Sequence, residues 1–285
     1  MQPFHLAEQV KETYYHYIRS SFPIRDDGLR AEFERLVREE KLLWREPFVS
    51  LSRPYRPGAT FAQLIAAGNL SLHIQQANWG FSELHTHQAS ATQRIAQGKN
   101  TIVATGTGSG KTESFLIPIV DHCFQAQQKG QAGVQAVILY PMNALVNDQL
   151  DRLRNLLRGT GVTFGRYTGD TPRNQEEAQA RKRLPPDNMP AEEIYYRQDY
   201  RHRQPQILLT NYVMLELLLL HKGDRQVFRG SKPRFLVLDE VHTFTGILGA
   251  EVACLIRRFK QHVGLGTGEL VCIGTSATAK AGGAD

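Results

Sequence analysis

The sequence predicts an α/β fold in which a parallel sheet is covered by helices on both faces. Short apolar runs at 100–104, 134–140, 162–167, 206–210, 235–239 and 270–274 alternate with helical patterns at 85–97, 112–126, 143–158, 211–221 and 249–263. The runs are apolar throughout rather than every second residue, as strands buried on both faces must be. A glycine-rich loop, Ala104-Thr-Gly-Thr-Gly-Ser-Gly-Lys-Thr112, joins the first run to the helical pattern that follows it.

Each element has a local cause. Leu6, Val10, Tyr14 and Ile18 recur every four residues and predict an amphipathic helix, with Leu29, Phe33, Leu36 and Val37 marking a second. Asp26 and Asp27 stand before the second as caps. Residues 46–58 carry three prolines and read as an extended connector. Thr60 caps a short helix through Phe61, Leu64 and Ile65, ended by Gly68. Residues 1–80 are thus expected to form a small helical accessory region, and 81–285 the sheet domain. Residues 171–205, rich in Arg, Glu, Gln and Pro, interrupt the alternation and predict a surface excursion.

Composition narrows the classes. A chain of 285 residues with 41% hydrophobic content supports a sizeable core, and 34 Lys+Arg against 28 Asp+Glu give a net charge of +6. That basic excess is compatible with nucleic acid. Cys123, Cys254 and Cys272 share no metal-ligand spacing and read as small buried residues of a reducing compartment. No apolar run is long enough for a bilayer and no signal-peptide pattern opens the chain, so a cytoplasmic location with no membrane partner is expected.

The loop carries the first chemistry. Glycines let backbone amides approach phosphates, and the strand-loop-helix order sets them at a helix N-terminus. Thr107, Gly108, Ser109, Gly110, Lys111 and Thr112 are the candidate phosphate cradle, with Lys111 reaching the terminal phosphates and Thr112 ligating Mg²⁺. The second half is Arg234-Phe-Leu-Val-Leu-Asp-Glu-Val-His242, a buried strand ending in two carboxylates. Ligands of open parallel sheets lie beyond the strands' carboxyl ends. Asp239 is therefore expected to hold Mg²⁺ and Glu240 to act as general base toward water. A solvated turn is the competing reading of that pair.

These segments together resemble the superfamily 2 DExH-box (DEAD/DEAH-box) helicases. Thr107 to Thr112 resembles their motif I, and Asp239-Glu240-Val241-His242 their DExH box, which adds His242 to the candidate catalytic residues. Gln88 resembles the glutamine that reads adenine. Tyr140-Pro-Met-Asn-Ala-Leu145 resembles motif Ia, Tyr167-Thr-Gly-Asp170 motif Ib, Thr210-Asn211 motif Ic and Ser276-Ala277-Thr278 motif III. The matches fall in the family's order over roughly residues 82–280. They imply a RecA-like P-loop NTPase lobe that uses ATP and Mg²⁺, contacts single-stranded nucleic acid (DNA by preference) through Asn143, Thr168, Gly169, Thr210 and Asn211, and couples hydrolysis to motion through Ser276 and Thr278. More narrowly, Leu139–Leu145, Leu209–Tyr212, Leu238–Phe244 and Ser21–Arg25 resemble large prokaryotic helicases of DNA repair or anti-phage defence, with partner proteins of those pathways.

The resemblance also implies a second RecA-like lobe supplying arginines, which is expected outside this chain, so that the chain alone hydrolyses ATP slowly. The alternative is a non-catalytic nucleic-acid-binding module with a silent ATP site. Arg152 and Arg154, the cluster Arg181-Lys182-Arg183, and Arg197, Arg201 and Arg203 are basic candidates for nucleic-acid contact or for a solvated face. Tyr195, Tyr196 and Tyr200 could stack on bases or pack the excursion onto the domain.

Overall fold

The computed structural model describes residues 3–45 and 54–277, arranged as two compact units that divide after Pro54. The first holds helices α1 (Pro3–Ser21) and α2 (Asp27–Arg38). Asp26 caps α2 through its carboxylate, which accepts from the Leu29 amide at 2.9 Å. The predicted stripe on α1 is not its buried face: Leu6, Val10 and Tyr14 are exposed, while Tyr15 is buried and Arg38 lies 4.6 Å above its ring. Of the proline-rich connector, 46–53 falls outside the described residues.

The second unit begins at Tyr55. Strand β1 (Pro57–Thr60) pairs antiparallel with β2 (Glu83–His85), and between them α3 (Phe61–Ala66) starts from a reciprocal cap of Thr60 and Gln63. Leu64, Leu70 and Ile74 then enter the same core as the helices that follow. Residues 55–80, expected with the N-terminal region, therefore pack with the sheet unit.

Next come α4 (Thr86–Ala96), β3 (Thr101–Ala104), α5 (Lys111–Gln128), β4 (Ala136–Leu139), α6 (Asn143–Leu157) and β5 (Phe164–Tyr167). They are followed by α7 (Gln175–Ala180), β6 (Glu193–Ile194), β7 (Ile207–Thr210), α8 (Tyr212–Leu220), β8 (Phe235–Leu238), α9 (Gly246–His262) and β9 (Val271–Ser276). Seven strands form one sheet in the order β3-β9-β8-β4-β7-β5-β6, and every pairing is parallel.

Side chains of a strand alternate between its two faces. Ala136 and Ile138 accordingly join the core of α4, α5 and α6, while Val137 and Leu139 join that of α8 and α9. The α/β expectation holds, with helices on both faces. The excursion departs from a plain surface loop in supplying β6, the sheet's outermost strand. Glu193 of β6 is buried and takes a two-pronged ion pair from Arg154 of α6, at 2.6 and 2.7 Å. Arg154 is thus a tether of the excursion rather than a solvated helix face. Cys123 is buried as expected, but Cys254 is exposed and Cys272 half-buried. Among the described residues no helix is long and apolar enough to cross a membrane.

Removing one partner of a buried pair leaves the other charge uncompensated. Arg154→Met is expected to cost about 3 kcal/mol and to lower the thermal unfolding midpoint by roughly 10 °C, measured by calorimetry.

Candidate functional site

All seven strands run the same way, so their carboxyl ends share one edge, and the predicted segments collect there. The glycine-rich loop leaves β3 and enters α5 through Gly110, whose φ of 73° is left-handed. Glycine is required there, because a Cβ would run into the Gln88 side-chain amide. Gly108 is also left-handed, at φ 74°, and no atom lies within 4 Å of where its Cβ would stand. The amides of Thr107, Gly108 and Gly110 donate to no acceptor among the described residues. An open turn with unspent amides at a helix N-terminus fits a bound phosphate chain.

Lys111 closes over this loop, its ammonium donating to the carbonyls of Thr105 at 2.9 Å and Gly106 at 3.1 Å. The buried Ser109 turns its hydroxyl to that of Thr105, 2.6 Å away, and its carbonyl to His87 Nε2 at 2.8 Å. Gln88, the expected adenine reader, is buried with both ends of its amide engaged. Its Oε1 accepts from the His85 amide at 2.8 Å and its Nε2 donates to the Gly110 carbonyl at 3.0 Å. Here Gln88 braces the N-terminus of α4 against the loop. Tyr55 stands beside it, its ring 5.4 Å from that of His85 and 5.3 Å from that of His87.

The carboxylates follow β8. The Asp239 amide donates to the Leu139 carbonyl at 2.9 Å, continuing the ladder to β4. Glu240 then takes a left-handed conformation (φ 50°, ψ 50°), uncommon for a residue with a side chain. Thr275 of β9 holds both. Its hydroxyl donates to Asp239 Oδ1 and accepts from the Glu240 amide at 3.2 Å. Burial pushes the Asp239 carboxyl above its ordinary pKa, with the Glu240 charge acting in the same direction. The Thr275 hydrogen bond and the nearby Lys111 oppose that shift.

Glu240 Oε2 accepts from the Ala277 amide at 3.3 Å and lies 3.2 Å from His242 Nδ1. The same nitrogen lies 3.2 Å from the Ser276 hydroxyl. The Ser276 carbonyl in turn accepts from the Thr105 amide at 3.2 Å. Loop, carboxylates and the Ser-Ala segment thus form one connected set. Thr278 lies outside the described residues.

The candidate nucleic-acid residues gather farther along the edge. Asn211 caps α8, accepting from the Met214 amide at 2.8 Å, and donates to Asn143 Oδ1 at 2.9 Å. Asn143 donates toward Asp170 Oδ2 at 3.4 Å. Asn143 and Asn211 are half-buried and Gly169 is exposed. Thr168 and Thr210 are buried, and the Thr210 hydroxyl donates to the Tyr167 carbonyl at 2.5 Å, so these two support the edge from within.

Three features of this edge escape sequence reasoning. Thr275 is a plain strand threonine whose only signal is its place before Ser276. Glu113 is buried in the first turn of α5 and ion-paired to Arg152 of α6, with Oε2 left without a partner. Arg152 is half-buried and spends its charge on that pair. The Tyr55, His85 and His87 cluster is visible only once β1 and β2 pair.

Burial lowers the imidazole pKa of His87, His122 and His262 below 6.5. Below that value the unfolded chain binds protons that the folded chain does not, so these residues make stability fall as the pH drops. The unfolding midpoint is expected to fall between pH 7 and pH 5, and His87→Gln to reduce that fall, as followed by thermal melts across pH.

Comparison with known proteins places this arrangement. The family model described as DEAD/DEAH box helicase matches residues 85–284. The Druantia protein DruE of Escherichia coli is 28% identical over 95% of this chain and 20% of its own length. The uncharacterized ATP-dependent helicase YprA of Bacillus subtilis is 31% identical over 70% of this chain and 23% of its own. The solved structure of the DUF1998 helicase MrfA bound to DNA and AMPPNP aligns with a TM-score of 0.57 at 26% identity, covering 84% of this chain and 30% of that one. The chain spans about a fifth of the length of these curated relatives.

Proposed function

This chain belongs to the DEAD/DEAH box helicase family, and we propose that the unit from Tyr55 onward is its RecA-like ATP-binding lobe, hydrolysing ATP to drive movement along single-stranded nucleic acid. The observation that carries this reading is the convergence of the loop, Asp239, Glu240 and Ser276 through Thr105 and Thr275 at one sheet edge. In this reading the 104–112 loop binds the phosphates of ATP with its free amides, and Lys111 exchanges two loop carbonyls for phosphate oxygens. The hydroxyl of Thr112 and the carboxylate of Asp239 would hold Mg²⁺, which when bound neutralises phosphate charge. The donor set suits that ion, since hard oxygen ligands beside a phosphate are what Mg²⁺ takes.

Glu240 accepts the proton of the attacking water, and His242 orients it through Nδ1 while linking it to Ser276. Ser276 and Thr278 pass the state of the site to a second lobe of the same kind, whose arginines stabilise charge on the transferring phosphoryl group. Asn143, Gly169 and Asn211 contact the strand, with Thr168 and Thr210 behind them. DNA is the proposed strand, since MrfA was solved with DNA and matches this chain at 26% identity. DNA repair or anti-phage defence is the proposed setting, in a cytoplasmic protein whose residues 1–54 are accessory.

The test is nucleotide binding followed by turnover. Lys111→Ala is expected to abolish binding of a fluorescent ATP analogue. Glu240→Gln is expected to bind it as the wild type does while ATP turnover, measured with the second lobe present, falls at least about 100-fold. Undiminished turnover by Glu240→Gln would contradict its role as base.

A further inference from the structure

The inserted segment 171–205 does more than extend the sheet. Five consecutive carbonyls, from Arg166 to Asp170, each accept a bond from a side chain. The Arg166 carbonyl takes the hydroxyls of Thr171 and the buried Tyr200, both at 2.9 Å. The Tyr167 carbonyl takes the Thr210 hydroxyl. The Thr168 carbonyl takes the Arg197 guanidinium at 2.7 Å and the Gly169 carbonyl takes it at 3.3 Å. The Asp170 carbonyl takes Arg183 at 3.3 Å, and the same guanidinium grips Asp170 Oδ1 at 2.6 Å. Every donor except Thr210 comes from the inserted segment.

Arg197 is anchored in its turn. Its guanidinium lies 5.1 Å over the Tyr167 ring, and its amide donates to the Pro172 carbonyl at 2.9 Å. The Tyr195 hydroxyl holds the Arg183 carbonyl at 2.9 Å.

In a trans peptide the N–H points away from the preceding carbonyl, so Arg197, by holding the Thr168 and Gly169 carbonyls, leaves the Gly169 and Asp170 amides facing the other way. The amides of Gly169 and Asp170 donate to no acceptor among the described residues, and nothing stands within 4 Å of a Cβ at Gly169. Successive free amides in a tight turn make an anion-binding concavity. Asn143, and through it Asn211, lie on the same turn by way of Asp170.

We propose that Arg197 and Arg183 are positioning residues for nucleic-acid binding: they hold the 168–170 carbonyls away from the strand and so aim the Gly169 and Asp170 amides at a backbone phosphate. This inference rests on the proposed reading of the chain as a nucleic-acid-binding lobe. It assigns the two arginines a role opposite to that of surface cations. Arg183 is paired with Asp170, whose carboxyl it holds below the ordinary range, and Arg197 donates to the two carbonyls through Nη2; in this reading neither arginine touches the phosphate.

Salt dependence separates the two roles. A cation that contacts a single-strand phosphate adds about 0.7 to the slope of log affinity against log salt, whereas a residue that only orients neutral amides adds nothing. Binding of a fluorescent oligo-dT to the full chain is measured by anisotropy across a salt series for wild type, Arg197→Met, Arg197→Lys and Arg183→Met. The expected result is that Arg197→Met weakens binding about tenfold, the scale of one lost charge-assisted hydrogen bond, with the wild-type slope retained. Arg197→Lys, able to reach one carbonyl, is expected to fall between them.

Loss of slope by about 0.7 in Arg197→Met would overturn the inference in favour of direct contact. Wild-type affinity in both Met variants would overturn it as well. Absence of oligo-dT binding by the wild type would overturn the nucleic-acid reading and this inference with it. Binding of a fluorescent ATP analogue checks that each variant is folded. If Arg197→Met fails that check, Arg183→Met carries the same comparison.

Discussion

The hydroxyl of Thr275 sits where the functional edge is joined. It donates a hydrogen bond to Asp239 and accepts one from the Glu240 amide. A carboxylate leaving a strand into a left-handed residue has two costs, burial of its charge and a strained backbone. A single hydroxyl from the neighbouring strand offsets both. It can do so only because β8 and β9 are parallel and in register, with Leu238 opposite Gly274, so that the next residues of both strands emerge side by side. The same strand then places Ser276 against His242 and against the loop through Thr105.

The sheet imposes the rest of the geometry. With every strand parallel, each leaves its loop at the same edge. The phosphate loop, the carboxylates and the Asn143–Asn211 pair are thereby neighbours although far apart in sequence. Helices pack on both faces behind that edge, and Arg154 ties the inserted segment to them through the buried Glu193. Glu113 and Arg152 join α5 to α6 directly behind the loop. The proposed nucleotide and nucleic-acid ends of the edge are thus joined behind it by packed helices and ion pairs.

Much of this was legible because parallel-sheet physics writes plainly. Apolar runs of five to seven residues and the glycine-lysine-threonine turn predict β3, β4, β7, β8 and the loop to within two residues of their observed bounds. The carboxylates follow from a strand that ends in two acids. What stayed hidden depends on pairing between distant segments. The bond of Thr275 to Asp239 crosses from one strand to its neighbour, and nothing local to Thr275 announces it. The amphipathic period of α1 marked the wrong face, since the buried contact is made by Tyr15 with α2. Arg183, Arg197 and Arg203 look like part of a solvated charge run until their carbonyl partners are seen. The bonds of the Gln88 amide to His85 and Gly110 likewise join α4 to the loop across distant segments.

The central claim is that one hydroxyl assembles the carboxylate pair into a site for ATP and Mg²⁺. Its most direct measurement is the affinity of the chain for ATP with and without Mg²⁺, by calorimetry, in wild type, Thr275→Ser and Thr275→Val. Thr275→Ser keeps the hydroxyl and should match the wild type. Thr275→Val keeps the shape and loses the bond, and its Mg²⁺-dependent gain in affinity should shrink by about tenfold. A Thr275→Val chain that gains as much from Mg²⁺ as the wild type would contradict the account.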